Sequence, residues 1–227
     1  GMQEVPHKRY LNDFFTGKIA ESVSRGELYN EDPITGDARF CATTASMCGI
    51  ESAGFEQNEE KKKRAVRFDL MLHAYMMVQS GIPMLYSGDE IGQVNDYTYK
   101  NDPEKRVDSR YIQRGKFDWK LADGRKRNGT VQKELFDGIG KLRSIRSKEK
   151  VFDASANVWT LDTWENGILG VVRELEGEQM TALFNFAEED RTAWIEEEGE
   201  YMDLYTGKKV SLQAIKMEGH SFVLAKK

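Results

Sequence analysis

Apolar side chains recur along the chain with two different periods, and the change from one to the other divides it. Between Lys8 and Val23, Tyr10, Leu11, Phe14, Phe15 and Ile19 fall at helical spacing and predict an amphipathic helix. Arg25 to Phe40 reads as a loop, punctuated by Asp32-Pro33 and Thr35-Gly36-Asp37. A short helix is expected over Thr43 to Cys48, and the strongest helical segment runs from Glu59 to Ser80. From Ala65 to Val78 its apolar side chains cover most of the circumference, so it is expected to be buried. Gly81 stops it. The next five residues, Ile82-Pro83-Met84-Leu85-Tyr86, form a short, nearly continuous apolar run of the kind that predicts a buried parallel strand. Helix, glycine turn and strand make half of an α/β repeat. The stretch from Gln93 to Asn128 is long and polar, and loops of that length are usually functional. Thr130 to Lys148 is a further amphipathic helix, with Leu135, Phe136, Ile139, Leu142 and Ile145 on one face.

After Asp153 the period drops to two. Asn157 to Asp162, Ile168 to Glu174, Gln179 to Phe186, Arg191 to Ile195, Tyr201 to Tyr205 and His220 to Ala225 are short β-rich runs. Asn166-Gly167, Glu176-Gly177 and Thr206-Gly207 separate them, which predicts an antiparallel sandwich. The domain boundary is therefore expected near Val151, with one domain over residues 1–150 and a second over 151–227.

Composition narrows the function classes. The 227 residues carry 33 basic and 38 acidic side chains, a net charge of −5 that argues against nucleic acid as a partner. The run Lys61-Lys62-Lys63-Arg64 lies beside Glu59 and Glu60 and reads as a solvated helix face. No apolar run is long enough to span a membrane, and Glu4, His7, Lys8, Arg9 and Asp13 occupy the place of a signal peptide's apolar core. Cys41 and Cys48 match neither a zinc nor a redox spacing and are expected as reduced core residues, so the chain is placed in the cytoplasm.

Asp89 and Glu90 are the obvious acid/base pair, but neighbours on an extended strand point to opposite sides, so they are read as structural carboxylates at the end of the Ile82–Tyr86 strand. The three histidines lie far apart, no metal or cofactor is expected, and His73 belongs to the core. Gly138-Ile139-Gly140 lies inside a helix and is no phosphate loop. Arginine is more informative. Arg39, Arg110 and Arg114 stand in polar loops with Asp37 and Asp108, and a planar guanidinium suits sugar hydroxyls or a carboxylate at the base of a pocket.

These segments also resemble a family. Gly81-Ile82-Pro83-Met84-Leu85-Tyr86-Ser87-Gly88-Asp89-Glu90-Ile91-Gly92 is similar to the eighth-strand segment of the α-amylase superfamily, glycoside hydrolase family 13. Pro33 to Arg39, Asn95-Asp96 and Val107-Asp108-Ser109-Arg110-Tyr111-Ile112-Gln113-Arg114 resemble its amylosucrase and sucrose-hydrolase branch, with Val107 and Tyr111 in place of the usual Asp and Trp. The resemblance implies an α+β fold: the last helices and eighth strand of a (β/α)8 barrel, followed by an antiparallel all-β sandwich. It implies a substrate-binding role for Asp37, Arg39, Arg110 and Arg114, with Arg110 closing a glucosyl pocket through an ion pair with an upstream aspartate. Glu90 matches a structural position. The family's catalytic carboxylates precede the region matched here and no residue of this chain takes their place, so the chain alone is expected to be inactive. The expected ligand of the intact parent is an α-glucoside or a sucrose-like carbohydrate. An unpaired barrel edge at Ile82–Tyr86 is expected to drive self-association. The alternative is a non-catalytic carbohydrate-binding or scaffold module.

Overall fold

The computed structural model describes residues 4–227 and resolves into two compact units. One comprises residues 4–69 and 85–136, the other 70–84 and 137–227. Two long helices, α4 (Glu59–Val78) and α6 (Val131–Lys148), each pass from one unit into the other.

In the first unit, helix α1 covers Glu4–Phe15 and ends well before the expected Val23. The chain reverses at Gly17, whose φ of 73° is left-handed, and the amides of Gly17 and Lys18 close back onto the carbonyls of Phe14 and Asp13. The expected loop over 25–40 holds a hairpin instead: β1 (Glu27–Tyr29) pairs antiparallel with β2 (Arg39–Cys41), in the register Glu27 to Cys41 and Tyr29 to Arg39. One hairpin face stacks Phe40 on Phe15 of α1, with ring centroids 4.5 Å apart. The other sets Cys41 into a small core with Tyr99 and Ile112, against which Tyr29 and Tyr111 pack. Short helices α2 (Thr44–Met47) and α3 (Ile50–Phe55) follow, and the 93–128 segment is built of short helical turns with α5 at Trp119–Ala122. At the start of α4, Lys62 pairs with Glu59 at 2.6 Å and Lys63 with Glu60 at 2.9 Å, so the basic run is a solvated face balanced by its own neighbours.

The expected strand at Ile82–Tyr86 does not form. The segment is irregular and open to solvent, with Ile82 88% and Met84 76% exposed. A parallel strand exists only through hydrogen bonds to neighbours, and every strand pairing among the described residues is antiparallel. Asp89 and Glu90 consequently do not close a strand. They stand in a 3-10 turn, Asp89–Ile91, entered through Gly88.

The second unit is the β-rich one. Its main sheet has the order β3-β4-β5-β10-β7-β8, from β3 (Asn157–Leu161), β4 (Ile168–Leu175), β5 (Glu178–Asn185), β7 (Tyr201–Asp203), β8 (Lys209–Val210) and β10 (Phe222–Lys226). A separate ribbon pairs β6 (Arg191–Ala193) with β9 (Ile215–Met217). Ile168, Leu183, Ala193, Ile195, Leu212 and Met217 fill the space between ribbon and sheet. The strands at 209–210 and 215–217 escaped the sequence reading because they are too short to show a period.

The other side of the sheet carries the last turns of α4, where Tyr75 meets Phe184 edge-on at 5.4 Å. Helix α6 comes close to α4 at Gly138, where a Cβ would lie 2.5 Å from a Leu70 methyl and 2.9 Å from the Tyr205 hydroxyl. Arg173 of β4 locks this side. Only 1% exposed, it donates from Nε to the Val151 carbonyl at 2.6 Å, from Nη1 to the Val78 carbonyl at 2.9 Å and from Nη2 to the Asp153 carbonyl at 3.2 Å. Arg146 of α6 donates to the carbonyls of Met77, Gln79 and Gly81, and both guanidinium groups lie against the Phe152 ring. The two arginines thus satisfy carbonyls at the end of α4 that no helical turn can reach. Arg173→Met should lower unfolding free energy by about 3 kcal/mol or more, because charge-assisted bonds are lost and buried carbonyls are left bare. Arg173→Lys should recover only part of it, since an ammonium lacks the fork; urea unfolding of the three proteins measures both.

Candidate functional site

The site is built on the β1–β2 hairpin and the Asp108–Arg114 segment of the first unit. Asp108 caps the 3-10 turn Ser109–Gln113 by accepting from the Arg110 amide at 3.0 Å. The same carboxylate takes the Arg110 side chain, with Nε at 2.9 Å from Oδ1 and Nη2 at 2.7 Å from Oδ2. Arg110 is thus paired two residues away along the chain, and among the described residues its Nη1 has no hydrogen-bonding partner. This pairing holds the Asp108 carboxyl below the ordinary carboxylate range and raises the Arg110 guanidinium further.

Beneath the pair lies Tyr29, with the Arg110 guanidinium 4.4 Å from its ring centroid. Tyr29 is the cross-strand partner of Arg39, so their side chains share a face of the hairpin. The structure therefore brings Arg39 and Arg110 to one surface through a tyrosine that the sequence reading did not single out. Its only signal is alternation: Glu27 and Tyr29 on one strand match Arg39 and Cys41 on the other. Arg114 is exposed and lies over the Tyr111 ring at 5.6 Å. Tyr111, standing where the resembled motif has Trp, keeps an aromatic platform there.

Two shallow hollows flank this surface. One of about 620 Å³ is lined by Asn12, Asn30, Asp32, Asp37 and Arg39 among others, and Asp37 also pairs with Lys8 at 3.7 Å. The second, of about 510 Å³, is lined by Glu27, Tyr29, Asn30, Tyr99, Lys100 and Arg106 among others. Asn30, in a left-handed conformation at φ 54°, borders both. Asp37 and Arg39 thus share one hollow, while Arg110 and Arg114 line neither; Arg110 lies on Tyr29, which lines the second. Asp89 and Glu90 are not brought into this cluster by any contact described. Asp89 accepts from the Tyr86 amide and Glu90 from the Gly88 amide, each at 3.0 Å.

A buried polar network lies in the same unit. Asn95 accepts from the Thr43 amide at 2.9 Å and donates to the Arg25 carbonyl at 2.9 Å. Its amide donates to the Ser46 hydroxyl at 2.9 Å, and that hydroxyl donates to the buried Glu51 carboxylate. Tyr97 donates to Glu51 at 2.8 Å; partial burial pushes its phenol up to about 12, against a lowering bond from Asn95, so it stays protonated. Cys41 and Cys48 are buried thiols that burial holds protonated, and no group of three His, Cys, Asp or Glu side chains among the described residues could hold a metal ion. No helix of the described residues is long and apolar enough to cross a membrane.

No family model matches this chain. Among solved structures it is similar to the trehalulose synthase of Pseudomonas mesoacidophila MX-45, at 15% identity and a TM-score of 0.55 over 70% of this chain and 38% of that one. An Anoxybacillus α-amylase overlaps at 22% identity and 0.49 over 72% of this chain and 32% of that one. A maltogenic amylase from S. marinus overlaps at 19% identity and 0.48, over 70% and 19% respectively. Of the three, the trehalulose synthase overlap is close enough to establish a common fold. The likeness is one of fold. This chain spans between 19% and 38% of the length of these proteins.

The Asp108–Arg110 pair has a defined pH response. A carboxylate with a lowered folded value contributes above its unfolded value and loses that contribution only as the pH falls through the folded one. The Arg110 Nε–H should therefore remain slow to exchange with solvent down through the ordinary aspartate value of about 3.9. Asp108→Asn should make it exchange rapidly at every pH, and heteronuclear NMR of the guanidinium reads both.

Proposed function

We propose that this chain is the C-terminal portion of a retaining α-glucoside hydrolase or glucosyltransferase of the α-amylase superfamily, of amylosucrase type. In that reading α4, the Ile82–Tyr86 run and α6 correspond to the last units of a (β/α)8 barrel, and the catalytic carboxylates belong to a part of the parent not contained in these residues. The observation that carries the proposal is the Asp108–Arg110 pair laid on Tyr29 beside Arg39. It supplies a guanidinium with its unpartnered Nη1 held in place, which suits the hydroxyls of a glucosyl unit. Arg39 and Asp37 would contact the sugar beyond the scissile bond, and Arg114 would extend that contact over Tyr111. The motif resemblance and the shared fold with a trehalulose synthase both support a carbohydrate substrate. The buried free thiols and the negative net charge support a cytoplasmic setting without nucleic-acid partners.

Retaining chemistry in the parent would need a nucleophilic carboxylate and an acid about 5 to 5.5 Å apart, and this chain's role would be to orient the sugar for them. Incubated with sucrose or maltooligosaccharides, the purified chain should release no glucose. Added glucoside should shift the Arg110 guanidinium signals, and Arg39→Ala should weaken that shift. Turnover that survives further purification would overturn the reading, and unmoved arginine signals would remove these residues from the substrate site.

The exposed Ile82–Tyr86 segment is the proposed contact for self-association. Light scattering should find oligomers that grow with concentration and dissociate in the Ile82→Ser, Met84→Ser double variant. A monomer at all concentrations that takes up no hydrophobic dye would count against it.

A further inference from the structure

In the β-rich unit, far along the sequence from the arginine surface, a hollow of about 610 Å³ is lined by Trp164, Trp194, Ile195, Glu196, Gln213 and Ala214. Its two indoles are 69% and 56% exposed. Strand alternation accounts for Trp194: its neighbours Ala193 and Ile195 point into the core, so its own side chain points out. Ala193 pairs with Ile215, which sets Trp194 across from Ala214 at the end of the ribbon. Ala214, with a left-handed φ of 52°, contributes only a methyl group, leaving the floor open between the larger residues.

Trp164 is held just as firmly. Trp194 donates its amide to the Thr163 carbonyl at 2.9 Å, tying the two tryptophan-bearing segments together. Thr163 is buried and donates to the Ile168 carbonyl at 2.8 Å, while Asp162 accepts from the Trp164 amide at 2.9 Å. Trp164 itself has a φ of 54°, a conformation unfavourable for a bulky residue. The fold thus keeps a tryptophan in a left-handed conformation that glycine adopts more readily, exposed beside a second one. Such a cost is retained where the side chain has work at the surface.

We infer that the Trp164–Trp194 hollow binds a neutral pyranose oligosaccharide. Indole faces offer rigid apolar platforms for the C–H face of a sugar ring, and their N–H groups can donate to ring hydroxyls. Glu196 supplies acceptors and Gln213 both donors and acceptors at the rim, where successive hydroxyls would lie. Among the described residues no cationic side chain lines the hollow, and Glu196 would repel an anionic chain. The inference stands on residues of the β-rich unit alone and holds whether or not the arginine surface binds a glucoside.

Titration with maltoheptaose, cellohexaose and oligogalacturonate, followed by tryptophan fluorescence and calorimetry, tests it. At least one neutral oligosaccharide should quench the emission and bind, and oligogalacturonate should not. Trp164→Ala and Trp194→Ala should each weaken binding by about tenfold or more. Trp159→Ala, on exposed strand β3, should leave it unchanged. Trp164→Gly should lose binding without losing thermal stability, because glycine relieves the left-handed strain. Binding unaffected by both hollow variants, or no binding of any neutral oligosaccharide up to solubility, would overturn the inference. So would concentration-dependent dimers that disappear in Trp164→Ala and Trp194→Ala, which would assign the hollow to a second copy of the chain.

Discussion

The β-rich unit hangs on a single buried cation. Arg173 sits inside β4 with no carboxylate among its bonded partners, its charge spread over the carbonyls of Val78, Val151 and Asp153. Burial lowers its proton affinity and nearby Arg146 lowers it further, yet an arginine stays charged through shifts that would neutralise a lysine. That tolerance is what allows a cation to serve as a joint between the end of a helix, a connecting turn and a sheet. Tyr75 against Phe184, and Gly138 against Leu70, add the packing that this joint brings into register.

The arginine surface uses the opposite arrangement. Arg110 is paired with a carboxylate, lies partly in water and stacks on an aromatic ring, so its strength comes from geometry more than from exclusion of solvent. The contrast separates the two roles of guanidinium in this chain. Arg173 and Arg146 spend their donors on backbone carbonyls and hold elements together, whereas Arg110 pairs with a carboxylate at the surface.

How much of this could be read beforehand follows from how local each feature is. The helices at 59–78 and 131–148 and six of the eight β-rich strands showed in the periodicity, because amphipathic patterning is a property of the segment itself. The hairpin at 27–29 and 39–41 has strands of three residues, too short for a period. The run at 82–86 has the composition of a strand without the partners that would make it one, and composition does not record partners. At the site, Arg39, Asp37, Arg110 and Arg114 were visible as charges in polar loops. Tyr29 beneath Arg110 was not, since the stack depends on a hairpin register joined to a turn about 80 residues later. Trp164 and Trp194 were legible only as members of a β-rich region; their exposure becomes visible once the ribbon has fixed which side of it is wet.

The strand order of the β-rich unit constrains how it can assemble. Strand β10, Phe222–Lys226, lies between β5 and β7, and Lys226 also bonds to Glu149 and Glu178. A ribosome delivering this sequence presents β3, β4 and β5 first, with the far edge of β5 unpaired until some forty further residues have emerged. During that interval Leu183 and its neighbours have only half of their sheet. Of the strands described, the one between β5 and β7 follows both in sequence, so this sheet closes by insertion, through contacts of high sequence separation that slow folding.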